Sequence, residues 1–207
     1  AGKLAEKIKK DILNKEKVTC SIGIGPNKLI AKLASDYKKP YGTTVVNPED
    51  VKRFVSKLNV RKLPGIGPKT EAVLKEMKIE TVSDLVGVDV RSLVNIFGVS
   101  GYRMHEMALG MDDSEVREDY EIKSIGRETT FEEDVYSPEI VFNAINELVD
   151  EFHEELIASD IQFKTVNIKI RYENFETHTR AKTLEFYTID KQIIKDIANQ
   201  LTQPFLN

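Results

Sequence analysis

The stretch Leu63–Met77, LPGIGPKTEAVLKEM, limits the fold more tightly than any other part of the chain. Two glycines one residue apart, Gly65 and Gly67, stand between Pro64 and Pro68, and an amphipathic helical pattern follows from Thr70. Glycine reaches the positive φ angles other residues avoid, and proline fixes φ and carries no N–H. The four together predict a tight loop of bare backbone opening straight onto a helix. Free N–H groups and the positive end of the helix dipole converge on the bend Gly65-Ile66-Gly67, which suits it to a phosphate, and Lys69 adds a full charge. The nucleotide-binding fingerprints are excluded by spacing. Pro68 precedes Lys69 where GxxxxGK[ST] requires glycine, and Gly23-Ile24-Gly25 runs on to Lys28 without a third glycine. A Gly/Pro pair alone marks only a turn, so the phosphate reading leans on its surroundings.

Upstream, residues 3–15 place Leu4, Ile8, Ile12 and Leu13 on one helical face. Val18 to Gly25 alternates as a strand, Pro26-Asn27 opens a helix with Asn27 as its cap, and Leu29, Ile30, Leu33, Ala34 and Tyr37 turn inward. Thr43 to Val46 returns as a second strand. Two strands bury too little apolar surface to stand alone, so residues 1–50 are expected to need partner strands upstream of Ala1, and the chain is read as a fragment. A short helix over 49–60 leads into the glycine bend. A new helix capped by Thr81 or Ser83 follows it, and a second bend, Phe97-Gly98-Val99-Ser100-Gly101, comes about 33 residues after the first.

Residues 112–120 are polar without a hydrophobic period and read as a linker. The rhythm then changes to strand, helix, strand, strand, helix. The strands are expected at Ile122–Phe131, Thr165–Tyr172 and Thr179–Tyr187, and the helices at Pro138–Leu156 and from Asp190. The fold class is therefore α+β and multidomain: a partial α/β remnant in 1–50, an all-helical domain with two glycine hairpins in 51–111, and an α/β domain in 121–207 with an antiparallel sheet and two helices on one face.

Charge bears on what such a chain could hold. The net charge of −4 over 207 residues argues mildly against a phosphate binder, but it is unevenly spread. Residues 1–50 carry ten Lys and Arg against six Asp and Glu, whereas residues 119–207 carry nine against eighteen. Five of those acids, Glu147, Asp150, Glu151, Glu154 and Glu155, fall on the long helix, while Lys123, Arg127, Lys169, Arg171, Arg180 and Lys182 fall on predicted strands. Acidic helices outside and one basic sheet face would let nucleic acid lie across the strands. A single cysteine, Cys20, excludes an internal disulfide, and three scattered histidines give no metal-ligand spacing. No apolar run reaches the roughly 20 residues of a membrane span and no signal-peptide pattern opens the sequence, so a cytoplasmic location is expected.

Four segments in order, NKLIAKLASDYKKPYGTTVV (Asn27–Val46), LPGIGPKT (Leu63–Thr70), KSIGRETTF (Lys123–Phe131) and THTRAKTLEF (Thr177–Phe186), resemble the Y-family translesion DNA polymerases of the DinB type. The resemblance covers nearly the whole chain. It implies the end of a palm in 1–50, a thumb with helix-hairpin-helix turns in 51–111, a linker in 112–120 and a little finger in 121–207. It matches Lys39 to a palm lysine on the incoming nucleotide triphosphate. Gly65, Gly67, Gly98 and Gly101 match thumb hairpins on DNA phosphates, and Ser124, Arg127, Thr130, Arg180 and Lys182 match little-finger positions that contact phosphates. It further implies primer-template DNA and a dNTP as partners and Mg²⁺ as cofactor. The family's metal ligands, an early Asp and a Ser-x-Asp-Glu motif, are absent from this sequence, so the chain itself is expected to hold no catalytic or metal-binding residue and to be inactive in nucleotidyl transfer. The little finger is also expected to lack its last strand. A non-catalytic helix-hairpin-helix module of a repair protein is the rival reading. A second is a protein-interaction domain meeting a partner such as a sliding clamp, since the terminal QLTQPFLN is faintly similar to a clamp-binding peptide.

Overall fold

Residues 1–118 and 122–206 are described by a computed structural model, and they form two compact units divided after Glu118. In the first, α1 (Gly2–Glu16) lies against a parallel pair, β1 (Ile22–Ile24) and β2 (Thr43–Val45), linked by the crossover helix α2 (Lys28–Tyr37). Asn27 caps α2 as its residue type predicts: its Oδ1 accepts the Ile30 N–H at 2.9 Å, and its Nδ2 donates to the Gly110 carbonyl. Leu29, Ile30, Leu33 and Ala34 are buried, while Tyr37 is exposed and meets Phe54 edge-on.

The stripe expected to bury α1 does not. Leu4 is 60% exposed and Ile8 42%, and the residues turned inward are Ala5 and Lys9. Lys9 is buried because its ammonium donates to the Tyr41 carbonyl (2.8 Å) and Thr43 Oγ1 (3.1 Å) and lies over the Tyr41 ring. Those contacts satisfy a charge that burial would otherwise penalise.

Beyond a 3₁₀ turn at Pro48–Asp50 come α3 (Val51–Ser56), a 3₁₀ turn at Val60–Lys62, α4 (Pro68–Glu76), α5 (Val82–Val86), α6 (Val90–Phe97) and α7 (Val99–Ala108). One apolar cluster runs from Ile30 and Val46 through Val55, Leu63 and Leu74 to Leu85, Leu93 and Met104. Residues 112–115 fold back on α2, where Asp112 accepts the Leu29 N–H and Lys28 donates to the Glu115 carbonyl. Helix α5 has only five residues and depends on its cap. Thr81 Oγ1 accepts the Asp84 N–H, and the Asp84 carboxylate accepts the Thr81 and Glu80 N–H groups, which holds its carboxyl below the usual range. Thr81→Ala is expected to cost about 1 kcal/mol, read from the urea midpoint, because the capped helix carries the fully buried Val82 and Leu85.

The second unit holds α8 (Pro138–Ala158), an antiparallel hairpin of β3 (Phe163–Arg171) and β4 (Thr177–Thr188), and α9 (Lys191–Thr202), capped by Asp190. Val149 and Leu156 of α8, Val166 of β3, and Ile194 and Ile197 of α9 form its core. The expected strand at 122–131 is not one: no residue from 122 to 131 enters a sheet. Its apolar residues, Ile122, Ile125 and Phe131, are spaced three and six apart, so period two gives no continuous stripe to bury. Glu121 and Asn207, the two ends of the expected 121–207 domain, lie outside the described residues, as does the 119–120 end of the expected linker. Among the described residues no helix is long and apolar enough to cross a membrane.

Candidate nucleic-acid interface

In the first unit the chain leaves the Val60–Lys62 turn at the buried Leu63, bends at Gly65 with φ +86°, anchors Ile66 in the core and enters α4 with Gly67 as its N-cap. Gly65 is exposed, and a Cβ placed there would meet nothing within 4 Å. The Ile66 N–H goes to the Leu63 carbonyl and the Glu71 N–H to the Gly67 carbonyl. Pro68 has no N–H to satisfy. The N–H groups of Gly65, Gly67, Lys69 and Thr70 find no acceptor among the described residues, so four donors open to solvent at the positive end of a nine-residue helix. Lys69 is exposed beside them. Arg61, which sequence reasoning passed over, donates from Nη1 to the Ile66 carbonyl at 2.8 Å. A cation four positions ahead of the first glycine was the available signal.

The second bend differs from the first. Gly98 (φ +61°) is exposed and also has open space where a Cβ would stand, and the Val99 and Ser100 N–H groups beyond it are open. Gly101 is buried inside α7. Its added Cβ would lie 2.2 Å from the Leu93 carbonyl oxygen, so it lets α6 and α7 cross closely and presents no amide to a ligand. Lys39, just past α2, is exposed and ion-paired with Asp36. Hydrogen bonds from Lys32 and then Lys39 hold the Asp36 carboxyl at about 2.

In the second unit the register decides which cations share a surface. Val166 pairs with Lys182, Ile168 with Arg180 and Ile170 with His178. Directly paired residues of antiparallel strands point to the same face, so Arg180 and Lys182 lie on the side that carries the core. Lys182 Nζ donates to Gln200 of α9, and Arg180 sits over the Phe205 ring at 5.2 Å. This corrects the expectation of one basic sheet face. The opposite, open face carries Thr165, Asn167, Lys169 and Arg171 from β3 with Thr177, Thr179, Ala181 and Thr183 from β4, and Thr165 and Thr183 meet at 3.0 Å. Arg127 binds Glu155 of α8, while Glu128 reaches Lys169 at 3.1 Å, so neighbouring side chains of this segment point to opposite sides. Ser124 and Thr130 are exposed, as are Lys169 and Arg171. On the helix side, hydrogen bonds from Lys195 and Lys191 hold Asp150 of α8 below its ordinary range. The terminal segment is folded onto this unit: Leu201 packs on the core and Phe205 stacks beside Arg180 and His178.

Residues 2–36 match the model of the impB/mucB/samB family, residues 48–79 the IMS family HHH motif, and residues 122–206 the impB/mucB/samB family C-terminal domain. A DNA polymerase IV of Methanoculleus marisnigri is 44% identical over 207 residues, 100% of this chain and 58% of that protein. A DNA polymerase IV 2 of Methanosarcina mazei is 42% identical over 205 residues, 99% of this chain and 56% of that protein. The chain thus spans less than two thirds of these relatives. Among solved structures, the Y-family DNA polymerase chimera Dbh-Dpo4(243-245)-Dbh superposes with a TM-score of 0.86 at 26% identity, covering 99% of this chain and 58% of that one.

Proposed function

The chain belongs to the Y family of DNA polymerases, of the DinB type, and on that premise we propose that it is the DNA-holding portion of a translesion polymerase of the polymerase IV kind. The observation that carries this is the exposed Gly65–Gly67 bend, with four open N–H groups, inside the segment that matches the HHH motif. Amides and a helix dipole grip a phosphate without reading bases, as a polymerase that must slide along any template requires. Gly98 offers a second, smaller grip of the same kind. In this reading residues 1–50 are the end of the palm, 51–111 the thumb, 112–120 the linker and 121–207 the little finger.

In the little finger the threonine-rich open face with Lys169 and Arg171 is the surface offered to the backbone, with Ser124 and Thr130 as further hydroxyl donors. Arg127, Arg180 and Lys182, matched to phosphates by resemblance, would have to be approached from the helix side or the strand edge. Lys39 is proposed to meet the triphosphate of an incoming nucleotide after exchanging Asp36 for it. The whole enzyme would be a nucleotidyl transferase acting in the cytoplasm with a divalent metal, Mg²⁺ by resemblance. Among the described residues no three His, Cys, Asp or Glu side chains converge, so they do not fit such a metal. The match of all three segments in order favours this reading over a non-catalytic repair module. A sliding-clamp contact through the terminal segment would require Leu201 to leave the core.

Fluorescence anisotropy of the purified chain on labelled primer-template DNA tests the proposal. Affinity is expected to be independent of sequence. With about four phosphates neutralised it should fall about a hundredfold for a fourfold rise in salt, because released counterions drive such binding. Affinity that ignores salt, or that follows base sequence, would overturn it.

A further inference from the structure

Arg61 stands where the glycine seat has an electrostatic difficulty. Glu71 lies in the first turn of α4, where a carboxylate favours the helix dipole but competes with a phosphate for the same positive end. The Ile66 carbonyl adds a second negative group within the bend. The Arg61 guanidinium addresses both: Nη1 donates to the Ile66 oxygen at 2.8 Å and Nε lies 3.7 Å from Glu71 Oε2, while Lys75 meets the other Glu71 oxygen at 3.0 Å. The guanidinium lies beside the seat, since a Cβ at Gly67 would stand 3.7 Å from Nη1, an ordinary contact. The side chain is 40% exposed, and Nη2 has no acceptor among the described residues. A guanidinium has five donors in a rigid fork, so it can hold the carbonyl and still turn charge outward.

Resting on the reading of Gly65–Gly67 as a phosphate seat, we propose that Arg61 is a positioning residue for that seat. It ties down the Ile66 carbonyl and screens Glu71, so that a DNA phosphate meets the amides of Gly65, Gly67, Lys69 and Thr70 without an opposing charge. Because the Ile66 carbonyl is neutral and Glu71 carries a full charge, most of the effect on binding passes through Glu71.

The test is anisotropy with the full chain and a fixed primer-template duplex, combined as a double-mutant cycle. Arg61→Met is expected to weaken binding about fivefold at about 0.1 M salt. In a Glu71→Gln background the same change should cost less than about twofold, because the charge it screened is gone. Arg61→Lys, which keeps the charge but not the fork, should fall between the unaltered chain and Arg61→Met, and Arg61→Gln takes the place of Arg61→Met if that variant fails to fold. Gly65→Val reports on the seat itself, since a β-branched residue at φ +86° would close it. If Gly65→Val weakens binding and Arg61→Met does not, the Arg61 role is overturned and the seat stands. If neither does, the seat reading fails and this inference with it. An equal Arg61→Met effect with and without Glu71 would make Arg61 a direct phosphate ligand and overturn the screening role.

Discussion

Gly101→Ala is expected to be among the most destabilising single-methyl changes in the chain, lowering the stability of the first unit by about 3 kcal/mol. The added Cβ would sit 2.2 Å from the Leu93 carbonyl oxygen, 2.4 Å from its carbon and 2.9 Å from the Val94 nitrogen. All three are backbone atoms of α6, which cannot rotate aside as a side chain could. The two helices must part, and they part over Leu93 and Met104, both buried in the core. For a unit of this size that loss corresponds to a melting point lower by roughly 10 °C, readable by circular dichroism at 222 nm. Gly98→Ala, three residues away, meets no atom within 4 Å and bears only the cost of its φ +61°, ψ −141° backbone, roughly 1–2 kcal/mol. Similar melting points for the two variants would mean that the α6–α7 crossing is looser than the structure has it.

That pair of glycines also marks how far sequence reasoning reaches. Both stand in one bend motif, and spacing alone gives them the same role. Only the crossing of two helices separates the glycine that presents a backbone from the one that hides a contact. The first hairpin was legible because its signals are local: prolines, glycines and the helix they open lie within fifteen residues. The Asn27 cap and the β3 alternation were legible for the same reason. The inner face of α1 was not. The stripe of Leu4 and Ile8 reports which residues are apolar, whereas Lys9 is buried by partners 32 and 34 residues away, at Tyr41 and Thr43. The basic sheet face failed on a similar point. Period two sets Arg180 and Lys182 on a common face of β4 with Leu184, which packs on the core, and pairing with Ile168 and Val166 puts that face on the helix side; grouping all the strand cations together ignored that phase.

The register turns that failure into the sharpest test of where a duplex lies. If DNA crosses the open face of the β3–β4 hairpin, replacing Lys169 and Arg171 together by glutamine should weaken binding about tenfold at about 0.1 M salt. The slope of log affinity against log salt should become shallower by about 2, at about 0.9 for each phosphate that is no longer neutralised. Among the described residues Lys169 is held only by an exposed pair with Glu128, and Arg171 by a 3.3 Å hydrogen bond to Thr177. Interactions of that kind are worth about 1 kcal/mol or less and yield readily to a phosphate. The matching pair of changes, Arg180 and Lys182 to glutamine, removes the same charge from the same hairpin, but on the helix side, where Gln200 and Phe205 already engage both. Its expected effect on affinity is under about twofold, with a slope unchanged within error. Because net charge falls equally in the two double variants, general electrostatic attraction cancels between them and the difference reports the face alone. The reverse ranking would move the duplex to the helix side or the outer edge of β4, and with it the assignment of Lys169 and Arg171 as the cations that hold it.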